Sequence, residues 1–155
     1  MGTQTKYRRF NRTLTNAFRA CAPLLALTGH ASDNIRILIK TPDASVPLPS
    51  LMFTAQHRGN LLESVDDGYM RTNVLAEAFA KDRAVTLEIM GAVEQYVKQN
   101  TETYADFGFQ QDNIEIRSIR FLGVSLSGES PADEFSGVFI SMCELEAIWL
   151  DTEIA

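Results

Sequence analysis

The chain has 155 residues, of which 45% are hydrophobic and 22% charged, with a formal net charge of −6. That balance predicts one folded domain, excludes wholesale disorder, and argues against a general binder of nucleic acid or of an anionic membrane surface. The longest apolar run, residues 20–27, is far short of the roughly 20 residues a membrane span needs.

Positions 2–6 are polar and lead into no apolar segment, so a signal peptide is not expected. "MGTQTK" places Lys6 where a myristoylation site requires Ser or Thr. The expectation is a protein made in a cytoplasm and not exported by the usual route. Its charge is unevenly spread. Lys6, Arg8, Arg9, Arg12 and Arg19 make the first twenty residues basic with no acid among them, whereas Glu144, Glu146, Asp151 and Glu153 make the C-terminus acidic.

Residues 1–11 read as a flexible basic arm. From Arg12 on, Leu14, Ala17, Phe18, Cys21 and Leu25 recur at helical spacing. Pro23 interrupts them, which predicts either a kink or two short helices meeting, and Gly29 offers a C-terminal cap. "IRILIK" (residues 35–40) has β-branched strand character, and the proline-rich residues 41–50 read as loop or edge. A second strand is expected over 51–56. The polar stretch 57–68, with Gly59, Asp66, Asp67 and Gly68, suits a long hairpin excursion.

A third strand is expected over 69–80. Val74, Ala76, Ala78 and Ala80 fall on one side of it, and Tyr69, Leu75 and Phe79 mix with Arg71, Asn73 and Glu77 on the other. At Lys81-Asp82 the period changes from two to 3.6. Asp82 is a good N-cap, and Val85, Ile89, Val93, Tyr96 and Val97 then line one helical face, with Leu87 and Ala92 widening it. A helix that follows a strand so directly must fold back over the sheet to bury their shared apolar surface. Residues 100–113 read as a polar linker carrying Tyr104, Phe107 and Phe109. The next strand begins at Ile114, and its alternation slips near residues 118–120, which predicts a β-bulge. After a second excursion, residues 138–150 form the last strand. The fold class is therefore α+β in the order helix, three strands, helix, two strands. A mainly antiparallel sheet carries the helices on one face, within a single domain over residues 12–150, and 151–155 form a tail.

Catalytic patterns are scarce. His30 and His57 lack partners at metal-ligand spacing and read as structural or surface residues. Asp66 and Asp67 could hold a divalent cation, but beside Gly68 they are more simply turn formers. Glu144 and Glu146 share one face of one strand, which marks a solvated face or an interface rim and not a glycosidase pair drawn from separate elements. No phosphate-binding glycine loop or hydrolase elbow occurs. Ser127 and Ser130 read as turn residues. Cys21 and Cys143 read as buried free thiols, with a disulfide between them left open. The "KYRRFNR" segment suits either a nucleic-acid arm or an arm that docks on an acidic neighbouring subunit.

This layout resembles the tail terminator proteins of tailed bacteriophages. The likeness lies in an opening helix, strands with proline-rich loops, "AFAKDRAVTLEIMGAVEQYV" passing from strand into helix, and two long closing strands. It spans most of residues 12–150. The long N-terminal arm and the 57–68 excursion depart from that pattern. What the resemblance implies is a structural, non-enzymatic virion protein without cofactor or metal. It would form a hexameric ring that caps the tail tube, contacts the head connector or neck, and touches a sheath protein if the tail contracts. Genomic DNA would pass through the ring unbound. Its place would be the virion tail or neck, with the host cytoplasm as the site of assembly. Residues assigned to the subunit and partner interface on the charge layout are Lys6, Arg8, Arg9, Arg12, Asp66, Asp67, Glu144 and Glu146. The alternatives are a head-completion or neck adaptor protein, and a small ligand-binding or enzymatic domain with Tyr104, Phe107, Phe109 and Trp149 lining a cleft.

Overall fold

Alternating apolar residues in the long strand segments require one covered face, and the helices supply that cover. A computed structural model describes residues 3–28, 35–37, 48–60, 69–101, 109–111, 113–129 and 138–152. It contains helices α1 (Thr3–Arg19), α2 (Ala22–Leu27) and α3 (Arg83–Thr101). Its strands are β1 (Ile35–Ile37), β2 (Ser50–Asn60), β3 (Tyr69–Ala80), β4 (Phe109–Gln111), β5 (Ile114–Glu129) and β6 (Phe139–Asp151). One sheet runs in the order β1-β2-β3-β6-β5-β4. Every neighbouring pair is antiparallel except β1 and β2, which run parallel. The chain is thus α+β.

The central β3–β6 pair fixes the two faces. Met70, Thr72, Val74, Ala76 and Ala78 stand opposite Trp149, Ala147, Leu145, Cys143 and Ser141, and all ten are buried. Onto this face pack Phe10, Leu14, Ala17 and Phe18 of α1, Leu24 of α2, and Ile89, Met90, Val93 and Val97 of α3, closing one core. Phe10 stacks on Trp149 with ring centroids 4.6 Å apart, and the Trp149 indole N–H donates to Thr72 Oγ1 at 2.8 Å. Burying an indole while leaving its donor unpaired would be costly, so this hydrogen bond lets the largest side chain sit at the centre. The Tyr96 hydroxyl donates to the Ala17 carbonyl at 2.7 Å and ties α3 to α1.

Several expectations hold in detail. β3 spans Tyr69–Ala80. Asp82 caps α3, its Oδ1 accepting from the Ala84 N–H at 2.9 Å. The break at Pro23 resolves into two helices, with the proline in the first turn of α2, where an amide donor is dispensable. The β5 register shifts between Ile116 and Ser118, so Arg117 is the extra residue of a bulge, slightly ahead of the expected position. Two further shifts follow, at Phe121/Gly123 and Leu126/Gly128.

Others need correction. Residues 3–11 belong to α1 and are no arm: Phe10 is fully buried and Tyr7 packs edge-on against Trp149 at 6.1 Å. The basic residues Lys6, Arg8 and Arg9 hid the helix because they surround Tyr7 and Phe10 in sequence and mask their apolar spacing. Leu87, placed on the buried stripe of α3, is exposed. The polar linker contains β4, which pairs Phe109–Gln111 with Ile114–Ile116 as a two-residue hairpin whose Asn113 adopts φ 64°. Asparagine tolerates that left-handed backbone better than most side chains. β2 runs on to Asn60, into the expected excursion. Gly29, His30, Tyr104, Phe107, Ser130 and residues 61–68 lie outside the described residues.

Candidate interaction surface

The sheet has a second face, turned away from every helix, and its composition is mixed. Period-two alternation delivers Tyr69, Arg71, Asn73, Leu75, Glu77 and Phe79 of β3 to this side. Opposite them in register stand Leu150, Ile148, Glu146, Glu144, Met142 and Ile140 of β6. Glu146 is flanked by Arg71 at 3.5 Å and Arg120 at 3.9 Å. Glu115 pairs with Arg117 at 2.8 Å, and the Arg117 guanidinium lies 5.7 Å from the centre of the Tyr69 ring. One end is closed by a small apolar cluster of Met52, Phe79 and Val138, with Leu48 and Ile140 against it.

Between these ends Leu75 faces Glu144 and Glu77 faces Met142, a square in which acid and apolar side chains alternate. Glu144 is exposed, while Glu77 is half-buried and burial raises its carboxyl above the ordinary value. Glu77 was absent from the residues singled out in the sequence. The signal that could have found it is the odd face of residues 69–80, where leucine and phenylalanine mix with charge instead of segregating from it.

The predicted interface residues that the structure describes do not come together as one site. Arg9 closes a fork on Asp151 within the chain, its Nη1 and Nη2 donating to Oδ1 and Oδ2 at 3.1 and 2.8 Å. That pair is only 12% and 4% exposed, so Arg9 serves the fold and is not presented to a partner. Lys6 bends over the chain, its Nζ 5.2 Å from the Tyr7 ring centre and 4.0 Å from Met70 Sδ. Arg8 and Arg12, one turn apart, are exposed on the outer side of α1. Because α1 covers the inner face of the sheet and Glu144 projects from the outer face, the basic ridge and the acidic square lie on opposite sides of the molecule. Asp66 and Asp67 lie outside the described residues.

Arrangements suited to chemistry are few among the described residues. Among the described residues, no group of three His, Cys, Asp or Glu side chains is placed to hold a metal ion. No helix among them is long and apolar enough to cross a membrane. Cys21 and Cys143 are separate buried thiols. Burial first, and Glu94 second, push Cys143 up to about 12, which makes it a poor nucleophile. Trp149, offered by the sequence as a cleft-lining ring, is fully buried. An open recess of about 230 Å³ beside the β4–β5 turn is lined by Gln110, Gln111, Asn113, Ile114, Glu115 and Thr152, and these carry no nucleophile–base pair. No protein-family model matches the chain, and no curated protein matches it.

Proposed function

We propose that this chain is a ring-forming structural subunit of a phage tail, the terminator that caps the tail tube and joins it to the head connector. The observation that carries the reading is the placement of an exposed basic pair and an exposed acid on opposite sides of one subunit, the acid on a face that also carries Arg71, Arg117 and Arg120. Arg8 and Arg12 line the outer side of α1, and Glu77 and Glu144 lie on the far face of the sheet. A closed ring requires such a head-to-tail contact, in which two different surfaces of the same subunit are complementary. Opposite charge at the contact sets register and speeds encounter. The strand-to-helix passage at residues 78–85 and the long closing pair β5–β6 support the reading through their resemblance to terminator proteins. A net charge of −6 suits a ring through which DNA must slide, because phosphate is repelled and not held.

Light scattering on the purified protein, alone and mixed with tail tube protein, tests the proposal. Six copies in a closed ring are expected, with a sheath protein as a further partner if the tail contracts. Capture of portal-side proteins in preference to tube protein would assign the chain to the neck adaptors instead.

A further inference from the structure

We draw no further inference here: the strongest candidate, the surface patch on β5 where the apolar side chains of Leu122 and Val124 are exposed, carries nothing because nothing in the structure shows what covers it.

Discussion

Arg9→Ala separates residues that hold the subunit together from residues that hold subunits to one another. The Arg9 guanidinium meets both oxygens of Asp151, a carboxylate only 4% exposed at the end of β6. Truncating the arginine leaves that carboxylate buried without its cation, a situation that costs about 3–5 kcal/mol. Water can enter from the 12% exposed arginine side, which places the loss at the lower end, about 3 kcal/mol. For a chain of this length that corresponds to a fall in melting temperature of about 6–12 °C. Thermal and urea unfolding followed by the fluorescence of Trp149, the single tryptophan, would measure it. The reporter is well placed, because Phe10, the neighbour of Arg9 in sequence, stacks on the indole. Replacing both partners with apolar residues, Arg9→Met with Asp151→Leu, should recover much of the loss, since the cost lies in the orphaned charge. A loss under about 1 kcal/mol for Arg9→Ala would refute the reasoning and return Arg9 to the set of residues open to partners.

Further predictions follow from the same geometry. Arg8→Glu with Arg12→Glu should leave the subunit's melting temperature within a few degrees of wild type but abolish assembly, and Glu144→Arg in the same chain should partly restore the assembled fraction in sedimentation. Thr72→Val orphans the buried Trp149 N–H and should destabilise the fold by about 1–3 kcal/mol in urea titration. Cys143 should resist alkylation in the native state at pH 8. Its thiol is raised from 9.0 to about 12, so the fold favours the neutral form. The stability tied to that preference is therefore complete below pH 9 and is lost as pH rises toward 12, with a shallower decline in Cys143→Ala. Glu77 is raised from its ordinary value of 4.5 by burial, so the fold disfavours its charge. Glu77→Gln should thus be more stable than wild type at pH 7, with the gap closing as pH falls through the acid range, as read from urea midpoints.

The parts of the fold legible in the sequence are those written in hydrophobic period. Residues 69–80 alternate cleanly and residues 85–97 repeat at helical spacing, and Asp82 marks the change of period by capping the first turn. The β5 bulge was legible for the same reason: an alternation that slips by one residue has one extra residue in the ladder. What could not be read was contact across long separations. The first turns of α1 looked like an arm because their many basic residues mask Tyr7 and Phe10, whose apolar role is evident only once Trp149, more than 130 residues on, stacks against them. The same distance conceals Arg9, which looks like one more surface cation until Asp151 lies beside it. β4 is only three residues long and takes its identity from pairing, and the Asp112-Asn113 dipeptide before β5 lacks the glycine that marks a two-residue hairpin in sequence. The charged ends of the chain were visible as composition. That Arg9 meets Asp151 while Arg8 and Arg12 lie across the sheet from Glu144 was not.

The central claim, that unlike faces of one subunit join copy to copy until a circle closes, is tested most directly by the mass and shape of the purified particle. Light scattering combined with electron microscopy should give a single species of six copies with an open centre, at a concentration where Arg8→Glu/Arg12→Glu remains monomeric. A monomer mass at every concentration, unchanged by added tail tube protein, would contradict it.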